Sequence, residues 1–147
     1  MPTITPHLWF DGDLEQAIAF YATIFGDAKV SAEQRMPDGS LLGATFELLG
    51  QRVMGLNGGP DHPHTPAFSF FLQVRGQEEV DHYWDLLLAD GGRVTACGWL
   101  DDKFGVSWQV IPEELFEAFQ NPDPEKADYA MQAMLKQKKI VISELTA

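Results

Sequence analysis

The stretch that decides the fold is residues 3–26, TITPHLWFDGDLEQAIAFYATIFG, because its order of elements recurs later in the chain. TITPHLWF is a short apolar run that is typical of a strand. The residues after it predict a helix that stops at Gly26, since apolar side chains recur there at helical spacing: Ala17, Phe20, Tyr21 and Ile24. Residues 67–92, AFSFFLQVRGQEEVDHYWDLLLADGG, repeat this order and end on a Gly-Gly stop. The chain is therefore predicted to contain two copies of one pattern.

Extended segments follow each predicted helix. After the first helix they are AKVSAEQRM, LLGATFELLG and QRVMGLNGG, with PDGS as a hairpin turn between the first two. In the middle segment Ala44, Phe46 and Leu48 alternate with Thr45, Glu47 and Leu49, as in a strand. After the second helix, extended segments run from RVTAC to VSWQVIP. A shift of 64 residues aligns the two copies, and it superimposes Gly12 on Gly76, Phe10 on Val74, Leu8 on Leu72 and Val30 on Val94.

These elements predict an α+β fold built from paired βαβββ modules. Each module has one helix, which leaves one sheet face uncovered, so we expect the two sheets to form a cupped half-barrel with a cleft. We expect a single domain over residues 1–147, divided into module one (about 3–57), a proline-rich linker (58–66), module two (about 67–111) and a C-terminal helical segment (112–147). In the last segment PEELFEAF predicts a short helix, and Asp123 and Pro124 predict the start of a longer one. Its apolar stripe is typical of a surface that docks on a core or a partner subunit: Ala127, Ala130, Met131, Met134 and Leu135.

Charge and composition exclude several classes of partner. The formal net charge is −12, so neither nucleic acid nor an anionic membrane surface is expected as a partner. The one basic cluster, KQKK at 136–139, lies near the end of a predicted helix, where cations complement the helix dipole. The first residues do not form a secretory signal. A single cysteine is typical of a reducing compartment, so we expect a cytoplasmic protein.

Residues 97–110, CGWLDDKFGVSWQV, combine the only cysteine with two of the four tryptophans. CGWL and GVSWQV predict two strands joined by the turn DDKF, in which Gly105 permits an unusual backbone angle. In the second strand Val106, Trp108 and Val110 alternate with Ser107, Gln109 and Ile111, so the two sets face opposite sides of the sheet. Cys97 and Lys103 could form a reactive thiol and its cation, but a small buried hydrophobic role for Cys97 is favoured.

Four motifs together resemble the PhnB-like branch of the vicinal oxygen chelate superfamily, which has the glyoxalase and bleomycin-resistance fold: ITPHLWFDGDLEQAIAFY, ATFELLGQRVMGLNGGP, CGWLDDKFGVSWQVIP and DPEKADYAMQAMLKQKKI. The resemblance runs from about Ile4 to Leu145, and GWLDDKFGVSWQ is its most specific part. It implies the paired-module fold and a homodimer, while members of this branch mostly lack an assigned reaction. Some relatives carry the label of a ubiquinone-pathway methyltransferase. The sequence does not support that label, because NGGP is followed by prolines and histidines and not by the helix of a nucleoside-binding loop.

Metal-dependent members of the superfamily take His or Glu ligands from the first and last strand of each module. By this resemblance the four positions fall near Pro6 or His7 and at Gly55, Ser69 and Gln109, and His7 alone is a good ligand type. We therefore expect no metal and no other cofactor. The sequence DHPH at 61–64 and the carboxylate of Glu47 are weaker candidates, and an exposed loop and a solvated strand face are the favoured interpretations of them. Since the superfamily points the residues at its metal positions into the cup, the resemblance implies that Gln109 faces the cleft together with Ser107 and Ile111, and that Trp108 packs under the helix.

The favoured hypothesis is a homodimeric protein that binds an uncharged or mildly polar small molecule. Its predicted pocket is lined by His7, Trp9, Asn57, Ser69, Phe71, Trp99, Ser107 and Gln109. A Ser-His nucleophilic site among these residues is disfavoured, since nothing near them in the sequence supplies an orienting carboxylate. Two rivals remain open: a metal-dependent lyase, isomerase or dioxygenase of the same superfamily, and an antibiotic-sequestering protein of the bleomycin-resistance type. Whether the chain catalyses a reaction stays undecided at this point.

Overall fold

The computed structural model describes residues 1–147 and divides them into two compact units, residues 1–64 and 65–147. Each unit begins with a strand and a helix and continues with three strands. The predicted α+β class and the paired βαβββ order are confirmed. None of the helices is both long enough and apolar enough to cross a bilayer.

The first unit is a four-stranded sheet with one helix. Its elements are β1 (His7–Phe10), α1 (Leu14–Phe25), β2 (Ala32–Arg35), β3 (Leu41–Leu48) and β4 (Gln51–Asn57). The strand order is β1-β4-β3-β2, with β1 parallel to β4 and the other pairs antiparallel. The turn between β2 and β3 lies where PDGS predicted it.

The second unit repeats this topology and adds a helical tail. Its elements are β5 (Ser69–Val74), α2 (Gly76–Leu88), β6 (Arg93–Val94), β7 (Trp99–Asp101), β8 (Ser107–Pro112), α3 (Glu113–Phe119), α4 (Pro124–Lys136) and a short 3-10 helix (Ile142–Glu144). The strand order is β5-β8-β7-β6, which is the order of the first sheet. As predicted, Asp123 caps α4, because its side chain accepts a hydrogen bond from the backbone N–H of Glu125 at 3.0 Å.

The 64-residue repeat is visible in the backbone as well as in the order of elements. Gly12 and Gly76 both have positive φ, 82° and 80°, at or just before the start of their helices. Leu8 and Leu72 are buried, and each lies two residues before the end of the first strand of its unit. A side chain at position 12 or 76 would be strained in this left-handed backbone, so both copies use glycine there.

In the first unit α1 covers one face of the sheet. The alternation predicted for β3 is confirmed, since Ala44, Phe46 and Leu48 are buried and face the helix. Helix α1 approaches β4 so closely that a Cβ built at Gly55 would overlap with Cδ1 of Leu14. The face of β4 that carries Gly55 is therefore the helix-covered face.

In the second unit α2 covers one face, and the C-terminal segment covers part of the other. Ile111 belongs to a buried apolar cluster with Leu115, Ala130, Ile140 and Leu145. The tail is anchored by backbone hydrogen bonds from Cys97 N to Gln137 O and from Gly98 N to Lys138 O, of 2.9 and 2.7 Å. Ile111 thus shares a face with Gln109 but packs beneath the tail, which corrects the expectation that it lines an open cleft.

The apolar stripe predicted on α4 is divided between two environments. Ala130 is fully buried and Met134 packs against the same cluster. Met131 and Leu135 are 38% and 55% exposed. Cys97 is half-buried with φ of 55°, so it precedes β7 in a left-handed conformation and is not the buried strand residue that we expected.

Candidate functional site

The strand register of the second sheet brings five of the predicted pocket residues onto one face. Phe71 of β5, Gln109 of β8 and Trp99 of β7 are direct Cα partners and form one row across three strands. Ser69 lies in the neighbouring row with Ser107. Because side chains alternate along a strand, this face is opposite to the one that carries Trp108 and Leu100.

Hydrogen bonds organise the polar groups of this face. Nε2 of Gln109 donates to Oγ of Ser69 at 3.1 Å, and both side chains are half-buried. Oγ of Ser107 donates to Oδ1 of Asp101 at 2.7 Å, and Nη2 of Arg93 donates to Oδ2 of the same carboxylate at 2.8 Å. Ser107 is 1% exposed, so its hydroxyl supports the sheet and does not reach a ligand.

Aromatic side chains flank Gln109 on both neighbouring strands. Phe71 is 47% exposed, and its ring lies 6.0 Å from that of Phe116 on α3. Trp99 is half-buried. The indole N–H of Trp9 donates to Gly59 O and that of Trp108 to Asp102, whereas that of Trp99 donates no hydrogen bond within the chain. The row therefore presents apolar rings, an amide and a free donor to the same side.

The hairpin between β7 and β8 fixes this row from the opposite face. Oδ1 of Asp102 accepts the backbone N–H groups of Phe104 and Val106 at 2.9 and 3.1 Å, and Oδ2 accepts the indole N–H of Trp108 at 2.9 Å. Gly105 has φ of 85°, which lets the turn close. A single buried carboxylate thus sets the register of the two strands that carry Trp99 and Gln109.

In the first unit His7 and Trp9 share the face opposite to α1. His7 is exposed and pairs with Met54 of β4. Trp9 is half-buried beneath the chain that follows β4, since its Nε1 donates to Gly59 O at 2.9 Å and a Cβ at Gly58 would overlap with its ring. The His62 ring completes the cover at 4.7 Å between ring centroids.

Asn57, by contrast, lies on the helix-covered face with its partner Phe10. Its Oδ1 accepts the backbone N–H of Leu14 at 3.0 Å and its Nδ2 donates to Leu41 O at 2.9 Å. The side chain of Asp13 makes no capping hydrogen bond to α1. Asn57 instead accepts a backbone N–H at the start of that helix, which has no partner within the helix. The structure does not bring Asn57 together with His7 and Trp9.

Of the residues at the superfamily's metal positions, His7 alone is a strong ligand type for a divalent cation. Gly55 faces Leu14, and the residue of β4 that corresponds to Gln109 is Met54, because Leu8 pairs with Gly55 where Leu72 pairs with Val110. The expected position in the first unit was therefore wrong by one residue. A thioether is a soft ligand that suits neither manganese nor magnesium. In the second unit Ser69 and Gln109 bond to each other.

The histidines of DHPH do not form a metal site either. His62 contacts Trp9, whereas the ring of His64 lies 5.4 Å from that of Phe10, on the other face of β1. No group of three His, Cys, Asp or Glu side chains in the chain is placed to hold a metal ion. Residues 58–64 run along β1, and Asp61, His62 and Pro63 are exposed while His64 is half-buried, as the expectation of an exposed loop at DHPH requires for three of its four residues.

The first unit also has an open groove of about 790 Å³ between the start of α1 and the β2–β3 turn. Its basic residue is Arg35, whose guanidinium already pairs with Glu15, Glu33 and Gly39 O at 3.3, 3.0 and 3.0 Å. The groove therefore offers no unpaired charge to a ligand.

Sequence reasoning missed Asp101, Arg93 and Phe116. Asp101 stands directly opposite Ser107 in the predicted hairpin, so counting outward from the DDKF turn could have paired them. Arg93 could have been placed beside Asp101 in the same way. No periodicity points to the contact of Phe116 with Phe71, which depends on how α3 turns back over β5.

Comparison with known proteins identifies relatives over most of the chain. Residues 2–111 match a family described as 3-demethylubiquinone-9 3-methyltransferase, and no curated protein matches. A Bacillus cereus structure described as a 3-demethylubiquinone-9 3-methyltransferase, PhnB protein, is 31% identical with a TM-score of 0.67, and the alignment covers 76% of this chain and 99% of that one.

Two further structures share the fold at lower identity. A Pseudomonas aeruginosa protein is 21% identical with a TM-score of 0.61, over 76% of this chain and 98% of that one. The genomically encoded fosfomycin resistance protein FosX of Listeria monocytogenes is 20% identical with a TM-score of 0.62, over 82% and 98%. Another structure of FosX is described as a complex with Mn(II) and 1S,2S-dihydroxypropylphosphonic acid.

The matched regions include both copies of the internal repeat. The match over residues 2–111 spans both modules from β1 to β8, and the relative from Bacillus cereus is covered almost completely. The chain belongs to the family described as 3-demethylubiquinone-9 3-methyltransferase, which is the PhnB-like branch of the vicinal oxygen chelate superfamily.

Proposed function

We propose that the chain binds a small, uncharged or mildly polar organic molecule on the uncovered face of the second sheet. The observation that carries the proposal is the row Phe71–Gln109–Trp99, with Ser69 hydrogen-bonded to the central amide. Small-molecule sites combine apolar and aromatic walls with a few fixed polar groups. This row has that composition, and the bond to Ser69 holds the amide in place.

The other predicted pocket residues take different parts in this proposal. His7 is exposed on the uncovered face of the first sheet and stays a candidate contact. The hydroxyl of Ser107 is hydrogen-bonded to Asp101, and the amide of Asn57 is hydrogen-bonded to the start of α1. We infer that both side chains stabilise the fold and do not contact the ligand. The indole N–H of Trp9 is hydrogen-bonded to Gly59 O, so Trp9 can offer a ligand only apolar contact.

The test is an unbiased thermal-shift screen of neutral metabolites, followed by titration of each hit. Gln109→Ala and Phe71→Ala should weaken a genuine ligand several-fold, because each removes one contact and leaves the sheet intact. Gln51→Ala is the matched control, since it removes an exposed amide from the first unit. Hits that bind all three variants equally would contradict the proposed face.

We infer that the family's methyltransferase description does not give the activity of this chain. A Rossmann-type nucleoside site needs a glycine-rich loop that leads from a strand into a helix. After β4 the N–H groups of Gly58 and Gly59 instead donate to Phe10 O, at 2.9 and 3.4 Å, and the chain continues along β1. An expected outcome is that S-adenosylmethionine leaves the melting temperature unchanged, and a concentration-dependent rise would overturn this inference.

We also propose that the chain functions without a stoichiometric divalent metal, so the rival metal-dependent enzyme is not favoured. The side chains at the superfamily positions are His7, Met54, Ser69 and Gln109; His7 alone is a strong ligand type, and the last two are bonded to each other. Protein purified without an affinity tag should show no stoichiometric metal by elemental analysis. Chelator should leave its melting temperature unchanged, because no metal-binding energy is linked to folding. Stoichiometric zinc, manganese, nickel or iron would refute this proposal.

We propose a homodimer as the working state. Each sheet ends in an edge strand with exposed residues, β2 in the first unit and β6 in the second, and α4 exposes Met131 and Leu135. Association with a second copy is the simplest way to cover such edges and apolar side chains. Sedimentation at micromolar concentration should show a dimer, and a monomer across that range would contradict the proposal.

A further inference from the structure

The bonded pair Ser69 and Gln109 retains unused hydrogen-bonding capacity. An amide and a hydroxyl joined by one hydrogen bond still offer at least one donor and one acceptor, whichever way the amide is turned. No other group of the chain bonds to either side chain. Both side chains are half-buried, so the free donor and acceptor lie side by side at the surface of the sheet.

The flanking rings set the shape of what can reach this pair. Phe71 and Trp99 stand on the strands next to Gln109, and neighbouring strands lie about 4.8 Å apart, so the two side chains start roughly 10 Å from each other. Aromatic carbons make contact at roughly 3.5–4 Å, which leaves room for one flat ring standing edge-down on Gln109. The unpaired indole N–H of Trp99 adds a donor at the rim.

The charges around the row disfavour an anionic ligand. Arg93 is the basic residue in register with this face, and its guanidinium is paired with Asp101 at 2.8 Å. The chain as a whole carries a formal net charge of −12. A ligand that brought a carboxylate or phosphate to this row would meet a guanidinium already paired with Asp101, in a chain of strongly negative net charge.

Resting on the proposed function, we infer that the ligand is a neutral planar heterocycle with a lactam edge, that is, adjacent ring N–H and C=O groups. The lactam N–H and C=O match the acceptor and donor that Ser69 and Gln109 leave free. The ring faces then contact Phe71 and Trp99. An aromatic molecule without adjacent N–H and C=O groups can still contact the rings of Phe71 and Trp99. It leaves the free donor and acceptor of Ser69 and Gln109 without hydrogen-bond partners.

The test compares three probes of the same ring system: 2-quinolinone, which has the lactam edge, 2-methoxyquinoline, which lacks the N–H, and quinoline-2-carboxylate, which is charged. Binding is followed by NMR on the full chain, with the side-chain NH2 signals of Gln109 assigned from their loss in Gln109→Ala. We expect 2-quinolinone to bind roughly tenfold tighter than 2-methoxyquinoline, as two hydrogen bonds predict. Gln109→Ala should abolish that preference, Ser69→Ala should reduce it, and Gln51→Ala should leave it unchanged.

The remaining outcomes separate this inference from the proposed function. If the two neutral probes bind equally well at Phe71 and Trp99, the proposed small-molecule site is retained and the inference of a lactam ligand is wrong. Preferential binding of the carboxylate would overturn the assignment of a neutral ligand. If no probe binds while a hit from the metabolite screen depends on Gln109, the inference fails and the site survives. If no compound of either set depends on Gln109 or Phe71, both fail.

Discussion

Trp108 and Asp102 form a buried pair in which the indole N–H donates to the carboxylate at 2.9 Å, and the two residues are 3% and 2% exposed. The second oxygen of Asp102 closes the turn through the backbone of Phe104 and Val106. Asp102→Ala should therefore leave three donors without their acceptor and destabilise the fold by at least ~3 kcal/mol. Trp108→Phe removes one donor from the carboxylate and keeps an aromatic ring, so it should cost roughly 1.5–3 kcal/mol, less than Asp102→Ala. Urea denaturation measures both, and equal losses would show that the carboxylate is not the common acceptor.

The two faces of β8 predict opposite consequences for neighbouring substitutions. Trp108→Ala removes a large side chain whose ring lies 4.7 Å from that of Phe70, and should destabilise the fold by ~3–5 kcal/mol. Gln109→Ala removes a half-buried amide and should cost less than ~1 kcal/mol. Chemical denaturation measures the free energy of unfolding of both variants and tests this difference. If Gln109→Ala unfolds the protein and Trp108→Ala is tolerated, the strand has the opposite register and the pocket face is wrong.

Close packing of α1 on β4 predicts a coupled pair of substitutions. Gly55→Ala should destabilise the first unit by ~1–3 kcal/mol, because the new methyl group overlaps with Leu14. Leu14→Ala alone empties a fully buried position and should cost ~2–5 kcal/mol. In the double variant the methyl group occupies the vacated space, so the combined loss should be smaller than the sum by ~1 kcal/mol or more. Additive losses would mean that the two residues are not in contact.

Acid should weaken the anchor of α3 on β5. Nη1 of Arg75 donates to Oε2 of Glu113 at 2.6 Å and Gln73 donates to Oε1 at 3.1 Å, and these bonds hold the pKa of Glu113 below its ordinary value of 4.5. A carboxyl group with a depressed folded pKa stabilises the fold above its unfolded pKa, and that contribution is lost as the pH falls through the folded value. The melting temperature of Glu113→Gln should thus lie below that of the wild type at neutral pH, and the difference should shrink as the pH falls below 4.5 and vanish once the pH is below the lowered pKa of folded Glu113.

Because many carboxylates titrate in the same range, the Glu113 experiment depends on a matched control. Asp85→Asn removes an exposed carboxylate of α2 that forms no ion pair, so it controls for the loss of one surface charge without the loss of a partner. The ion pair of Glu113 is solvent-exposed, and its effect should also shrink at high salt. A Glu113→Gln difference that is independent of pH would show that the bond to Arg75 does not stabilise α3.

The order of elements could be predicted from sequence because it depends on local signals. Helical spacing over residues 14–25, the PDGS turn and the Asp123–Pro124 cap each act within a few residues. The repeat relates residues that are far apart in sequence. Because a shift of 64 residues aligns Gly76 with Gly12, it predicts that a helix begins near both glycines. These features would survive most changes in tertiary packing, so the fold class and the C-terminal helices were predicted correctly.

The site was harder to predict because it depends on single-residue register and on contacts between distant segments. One residue on β4 decides whether Gly55 or Met54 faces α1, and no local pattern distinguishes a glycine that accommodates Leu14 from one that marks an empty ligand position. Asn57 has the chemistry of a pocket amide, but its partners Leu14 and Leu41 are known only once β4 is placed beside β1. Polar residues that serve the fold and those that serve a ligand look alike in sequence.

The segment that follows β4 also determines where the chain can be divided. Residues 58–64 leave the sheet and then fold back onto β1, with His62 against Trp9 and His64 against Phe10. A fragment that ended with the last strand residue, Asn57, would strip this cover and bare the indole of Trp9. The boundary for expressing, permuting or fusing the two units therefore lies between His64 and Thr65, several residues beyond the point at which the strand itself ends.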